Sequence, residues 1–371
     1  MEIERRELSD GTPRWRVRWR QGGRRRVRTF NRKGDALDFA SELRRRQQLG
    51  TASSIDSGRM TLAEYVTSTW APTAGVYLSE VTRRHYSQTY DTHILPVFGS
   101  TPLRELSPDL IARWQASLLS SGAGPVAVRK AMMLLGAILQ RAVEAGHLPR
   151  NPTRLVRKAP LPARKEVRPL PPTVIERMRQ ASKPRDATLI SVLAYAGLRP
   201  GEALGLQWQD IRPNTLLVER SISLGTEKDT KNSAHRTVRL LAPLASDLRE
   251  WRLRSGRPGG RQLVFPSHRG YAWQHTAYTS WRAHAFRRAS QLAGVSGARP
   301  YDLRHSFASL LLHEGRSVIY VARQLGHDAR LTLSTYGHVI DEFEDQPQLS
   351  AEDAIVAARV PPDQGDRRLG T

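Results

Sequence analysis

Seven prolines crowd one short stretch of this chain, at Pro149, Pro152, Pro160, Pro162, Pro169, Pro171 and Pro172. Proline removes a backbone donor and fixes φ, so neither a long helix nor a central strand runs through such a stretch. The chain must therefore fold as separate bodies on either side of it. With basic residues interspersed, residues 151–168 read as an exposed linker. At 371 residues and 39% hydrophobic content, the sequence holds enough apolar material for two or three packed domains.

The N-terminal side divides again. Trp15, Val17 and Trp19 alternate with Arg14, Arg16, Arg18 and Arg20, which places the two sets on opposite faces of a strand. Gln21-Gly22-Gly23 reads as a turn, and 24–30 alternates again with Val27 apolar, completing a basic β-hairpin. Ala36, Leu37, Phe39, Ala40 and Leu43 mark a helix, and Ser53, Ser54, Ser57 and Gly58 a connector. Residues 1–57 thus form a small hairpin-plus-helix module. Residues 60–150 read as all helical. Helix-like spacing covers 60–70 and 81–94, a break falls at 96–102, and Ser107-Pro108-Asp109 opens a helix to 119. Pro125 opens another over 126–145, which Gly146 ends. Residues 169–345 mix helices (173–180, 187–196, from 200, 283–292, 306–314, 318–325) with strands at 216–222 and 237–241. The expected fold class is multidomain: a β-hairpin or sheet-plus-helix module, an all-α domain and a mainly-α α+β domain. The tail, 346–371, carries one short helix-compatible segment at 351–360.

Charge narrows the partner. The formal net charge is +23, from 58 Lys and Arg against 35 Asp and Glu. Such an excess points to a polyanion, because cations meeting phosphates release condensed counterions. Nucleic acid leads and an anionic membrane surface trails. No apolar run reaches the ~18 residues of a membrane span. Met1-Glu2-Ile3-Glu4-Arg5-Arg6 has no apolar signal core, so the expected location is the cytoplasm. Cysteine is absent, which excludes disulfides, thiolate zinc sites and cysteine nucleophiles. The histidines show no paired-ligand spacing, so no metal and no cofactor is expected.

Four segments of the third domain carry the chemistry. They are Tyr195-Ala196-Gly197-Leu198-Arg199-Pro200-Gly201-Glu202, the hairpin from Lys231 to Arg239, Tyr301-Asp302-Leu303-Arg304-His305-Ser306, and Leu325-Gly326-His327 leading to Thr335-Tyr336-Gly337-His338. An Arg-x-x-Glu alone is common. Four boxes in this order, with Tyr336 nine residues after His327, are specific. Together they resemble the catalytic boxes of tyrosine recombinases of the phage-integrase type. The resemblance covers 169–345, while 60–150 is similar to the family's core-binding domain and 1–57 to the arm-binding module of many integrases.

The resemblance implies a DNA-cutting and rejoining enzyme that uses neither metal nor ATP. Tyr336 is then the nucleophile, forming a 3′-phosphotyrosine. Arg199 and Arg304 stabilise the extra charge on the phosphorus, for which permanent, forked guanidinium groups are suited. Lys231 is the general acid for the 5′-oxygen; Lys228 is the other lysine beyond residue 183. His327 donates to a phosphate oxygen, and Glu202 orients Arg199 from one helical turn away. Each has an ordinary alternative: a surface salt bridge for the arginines, a core or capping role for Tyr336 and His327, a helix N-terminal carboxylate for Glu202. One position departs from the family. The third box usually begins with histidine, and here it begins with Tyr301, a poor base near neutrality. His305 and His338 read as packing or capping residues.

The expected partners are double-stranded DNA, at core and arm-type sites, and a homotetramer assembled on it, with a directionality factor or host DNA-bending protein as possible accessories. Arg14, Arg16, Arg18 and Arg20 form the arm-contacting face, and Arg150, Arg154, Arg157, Lys158, Arg164 and Lys165 line the linker against phosphates or simply solvate it. Integration and excision of a phage or integrative element is the leading reading. Chromosome-dimer resolution, an integron recombinase and a catalytically silent DNA-binding regulator are the alternatives.

Overall fold

The computed structural model describes residues 1–21, 24–48, 59–162, 167, 169–223, 226–229, 235–343 and 349–360. It divides into two compact units, Met1–Arg164 and Lys165–Thr371. Its described parts are mostly helical, with small sheets.

The first unit opens with a three-stranded antiparallel sheet of β1 (Glu2–Glu7), β2 (Pro13–Gln21) and β3 (Arg24–Phe30), in that order. The expected hairpin is β2–β3. β1 escaped the sequence reading because Ile3 is its one apolar residue. Helix α1 (Lys33–Gln48) covers the Trp15, Val17 and Trp19 face, where Val17, Ala36, Ala40 and Leu43 are wholly buried. Leu37 points away and is exposed. The arginine face of the sheet is left uncovered by the helix.

The helical part holds two longer stretches at 62–77 and 80–98. Each contains a π-turn, Val66–Trp70 and Tyr90–Ile94, closed by Ala71 N–H donating to Val66 O and Leu95 N–H to Tyr90 O. Pro72 and Pro96 follow directly. The widened turn moves away the carbonyls that a proline ring would strike. The helix consequently continues over Leu95–Phe98, where a break at Pro96 was expected, and stops at Gly99. In α2 (Pro108–Ser120) the Ser107 side chain accepts from Leu110 N–H as anticipated. Gly146, at φ 75°, follows the end of α3 (Pro125–Glu144) and stops the helix there.

The linker 151–168 needs correction over its first half. Asn151, Pro152, Thr153, Val156 and Ala159 are buried on the helical core. Asn151 Nδ2 donates to Gly136 O at 2.9 Å, Gln115 Nε2 to Arg157 O at 2.9 Å and Arg129 Nη2 to Ala159 O at 3.0 Å. Side chains of α2 and α3 satisfy the backbone carbonyls of Arg157 and Ala159, and Pro152 is seated in the core as an anchor, while Pro160 is exposed.

The second unit is built on two helices, α5 (Pro184–Tyr195) and a long helix at Pro300–His313, packed against each other in the core. In chain order its other elements are α4 (Pro172–Gln180), preceding α5, then α6 (Pro200–Leu204), β4 (Thr215–Val218), β5 (Arg220–Ser223), β6 (Thr226–Asp229), β7 (Arg236–Arg239) and α7 (Ala242–Arg254). The expected single strand 216–222 is two strands, because β4 pairs with β7 and β5 with β6. A helical stretch at 275–292 leads to α8 (Pro300–His313), α9 (Val318–Leu325), α10 (Ala329–Phe343) and α11 (Ala351–Arg359). α11 docks on its own unit. Ala351 and Ile355 are buried in the core, and Arg359 pairs with Asp247 at 2.8 Å and Glu176 at 3.3 Å. Among the described residues, no helix is long and apolar enough to cross a membrane.

Candidate active site

Arg304, on α8, has no exposed surface. A buried arginine needs acceptors for its fork, and two segments supply three of them. Its Nη1 donates to Gly197 O after α5, and its Nη2 to Leu325 O at the end of α9 and to His327 Nε2 at 2.8 Å. Glycine is required at 197. The residue sits at φ +60°, and a Cβ there would lie 2.3 Å from Phe307 Cδ1. Gly326 caps α9 in the left-handed conformation at φ 63° and turns the chain toward His327.

Arg199 is the N-cap of α6, and Glu202 lies one turn inside it. Glu202 accepts from Arg199 N–H at 2.8 Å and Arg199 Nη1 at 2.7 Å. It also accepts a bidentate pair from Arg236 of β7, at 2.9 and 2.6 Å. Arg199 Nη2 reaches Gly326 O at 3.1 Å, and Arg236 Nε reaches Gln324 O at 3.0 Å. Arg199 and Arg236 therefore share a single buried carboxylate, tying the starts of α6 and β7 to the end of α9, where Arg304 also bonds.

The electrostatics follow from that crowding. Burial opposes ionisation of Glu202, but the hydrogen bonds and charge of Arg236, then the backbone N–H and charge of Arg199, hold its pKa down at about 2. Burial first, then the cations Arg304, Arg199 and Arg236, lower His327 to about 3, so the ring is neutral at physiological pH. Arginine only donates, so Nε2 of this neutral ring is the acceptor and Nδ1 carries the proton. Burial and the charges of Arg199 and Arg236 also lower Arg304 from the usual arginine value. His327 Nδ1 and Arg304 Nε are buried donors with no hydrogen-bond partner among the described residues. The pocket is an anion site by composition and by its unmet donors.

Tyr336 lies inside α10. Its ring is fully buried, and its hydroxyl shares a 2.6 Å hydrogen bond with His305 Nδ1 of α8. Burial raises its pKa, Arg304 works to lower it and Tyr301 adds to the rise, so these groups sit within electrostatic reach of the phenol oxygen. Tyr301 is 39% exposed and stacks edge-on against the His305 ring at 5.4 Å. Arg199, Glu202, Tyr301, Arg304, His327 and Tyr336 thus come together as expected. Lys231 lies outside the described residues. Among those described, no cluster of three or more His, Cys, Asp or Glu is arranged to hold a metal ion.

Two residues of the pocket were not singled out from sequence. Arg236 fell within the Lys231 to Arg239 hairpin without a role of its own. His305 was set aside as packing, although it adjoins Arg304 and stands one helical turn after Tyr301.

The sequence profile described as the Phage integrase family matches residues 168–342, and that of the phage integrase N-terminal SAM-like domain matches 61–119. The chain belongs to the phage integrase family. It is 26% identical over 324 residues to a putative prophage phiRv2 integrase of Mycobacterium tuberculosis, covering 84% of each chain. It is 28% identical over 265 residues to the ICEBs1 integrase of Bacillus subtilis, covering 67% of this chain and 71% of that one. Its fold is similar to that of a lambda integrase tetramer bound to a Holliday junction, with TM-score 0.60, 17% identity and coverage of 87% and 95%.

Two basic surfaces of this phage-integrase-family chain lie outside the pocket. On the open sheet face, β1 brings Glu2 opposite Arg18 and Glu4 opposite Arg16, and Glu4 pairs with Arg18 at 2.9 Å. The face that holds Arg14, Arg16, Arg18 and Arg20 is accordingly less basic than the hairpin alone suggests. On the packed segment 151–159, Arg154, Arg157 and Lys158 point outward, as does Arg150 just before it. Arg164 and Lys165 lie outside the described residues.

Proposed function

We propose that this chain is a site-specific tyrosine recombinase that cleaves and rejoins DNA through a 3′-phosphotyrosine linkage and integrates and excises a phage or integrative element. One observation carries the reading: Arg199, Arg304 and His327 converge at the end of α9, Arg304 acts electrostatically on the Tyr336 hydroxyl, and donors are left over for an anion.

The chemistry runs from that convergence. A scissile phosphate seated in the pocket meets Arg199, which is a third exposed, and draws on the charge of Arg304 and Arg236 behind it. As the Tyr336 oxygen attacks, a second negative charge develops on the non-bridging oxygens of the phosphorus. Fixed cations in a low-dielectric pocket stabilise that charge without reorganising. Nδ1–H of neutral His327 donates to a non-bridging oxygen. Lys231, on the β6–β7 connection, protonates the departing 5′-oxygen. Because the phosphoester is exchanged and not hydrolysed, rejoining needs no ATP. The buried phenol requires a movement of α10 before attack, which keeps the nucleophile idle until DNA is in place.

Physiological context comes from the relatives, whose names place them in a prophage and an integrative element, and from lambda integrase, which assembles as a tetramer on a Holliday junction. The same assembly on paired core sites, with the basic sheet module binding separate arm-type sites, is the arrangement proposed here. The test is a nicked suicide duplex made from the element's own junction. Covalent protein–DNA product that disappears in Tyr336→Phe, with duplex binding retained, supports the enzyme. Tight binding without any adduct identifies a silent DNA-binding regulator.

A further inference from the structure

The nucleophile needs somewhere to put its proton, and the position usually filled by histidine holds Tyr301, which cannot serve. A phenol does not accept a proton from another phenol near neutrality, whereas an imidazole does. The structure assigns that role to His305. It lies on the same helix as Tyr301, one turn further along, and its Nδ1 is 2.6 Å from the Tyr336 hydroxyl. That distance and partner are what proton transfer from a nucleophile requires. Tyr301 packs on the His305 ring edge at 5.4 Å, and the His305 ring in turn lies 5.6 Å from that of Tyr336. The three rings form a row along one side of the pocket, with the imidazole in the middle. Tyr301 is therefore a positioning residue that fixes the tilt of the ring. His305 is the group that touches the reacting oxygen.

The Tyr336 oxygen forms a bond to phosphorus, the phenol proton passes to His305 Nδ1, and the P–O5′ bond breaks with its electron pair on the 5′-oxygen, which takes a proton from the general acid. Rejoining reverses it: the 5′-hydroxyl attacks, the phenolate leaves, and imidazolium returns the proton. This inference rests on Tyr336 being the nucleophile.

The experiment measures single-turnover cleavage of the suicide duplex by the full chain, with the natural 5′-oxygen and with sulfur at that bridging position. A thiolate leaves without being protonated, so the sulfur substrate bypasses a missing general acid and not a missing acceptor for the nucleophile's proton. His305→Asn is expected to cleave both substrates about 10²–10⁴-fold more slowly while binding the duplex normally. Tyr301→Phe should stay within about tenfold of the parent, since a phenyl ring keeps the packing; general-base loss is the larger effect. Wild-type cleavage by His305→Asn, or a loss that sulfur restores, overturns the assignment. Failure of the parent chain itself to form an adduct through Tyr336 overturns the recombinase reading, a different outcome. An independent measurement needs no variant: the ¹⁵N resonance of His305 Nδ1 in the intact chain near neutral pH. An unprotonated Nδ1 agrees with the assignment, and a protonated Nδ1 donating to the phenol oxygen contradicts it.

Discussion

Replacing Glu202 with glutamine keeps the shape of the side chain and removes the negative charge that the Arg199 and Arg236 guanidinium groups share. The carboxyl is 3% exposed, so water screens little of the effect. Its pKa of about 2, against an ordinary 4.5, corresponds to about 3 kcal/mol of favourable interaction at neutral pH. A carboxylate whose folded pKa is lowered contributes fully above its unfolded pKa and loses that contribution as pH falls toward the folded one. The stabilisation is thus complete at pH 7 and fades between pH 4.5 and pH 2. For a domain of this size, about 3 kcal/mol is roughly 6–12 °C in Tm. Calorimetry of the full chain should show the transition of the second unit falling by that amount in Glu202→Gln at pH 7, with the gap narrowing at pH 3. Sulfate or duplex DNA should restore more stability to the variant than to the parent, because either supplies the missing negative charge. A variant melting within about 2 °C of the parent at pH 7 would refute the reasoning. So would a gap that widens in acid.

Further outcomes can be checked separately. Gly197→Ala must place a methyl against Phe307 at a left-handed φ, so the urea midpoint should fall by the equivalent of about 2–4 kcal/mol with an unchanged slope. An unshifted midpoint contradicts the account of how the Gly197 carbonyl reaches Arg304. The ring of His327, lowered to about 3, should show no NMR titration between pH 5 and 8, and its contribution to stability, full above about 6.5, should fade only as pH falls toward 3. A midpoint near 6.5 would show that the cations do not surround it. Changing Arg14 and Arg16 together to alanine should lower the salt slope of arm-site binding by about 2 if both meet phosphates, leaving core-site binding unaltered. An unchanged slope would remove the sheet face from the DNA.

Legibility in the sequence followed the locality of the signal. The Ser107 cap and the α9 pattern 318–325 are written in neighbouring residues, and both appear as read. α7 was invisible because its few buried residues, Pro243, Leu244, Asp247 and Leu248, sit in its first half, include a carboxylate and are followed by a run rich in charge. That carboxylate is buried only because Arg179 and Arg359, distant in sequence, neutralise it. The first half of the linker misled for a similar reason, since Arg154, Arg157 and Lys158 advertise solvent while the residues between them are seated. Within the pocket, Arg199, Arg304, His327 and Tyr336 were found through their boxes. Arg236 and His305 matter through partners in space, Glu202 for one and Tyr336 for the other, and no local pattern marks that.

The central claim is that the phenol oxygen of Tyr336 becomes bonded to a DNA phosphorus. Trypsin offers a direct reading, because the peptide from Leu331 to Arg359 contains Tyr336 as its single tyrosine. After trapping on the suicide duplex and nuclease trimming, mass spectrometry should find that peptide carrying a nucleotide joined through its 3′-phosphate to Tyr336. A nucleotide on any other residue, or one joined through its 5′-phosphate, would contradict the account.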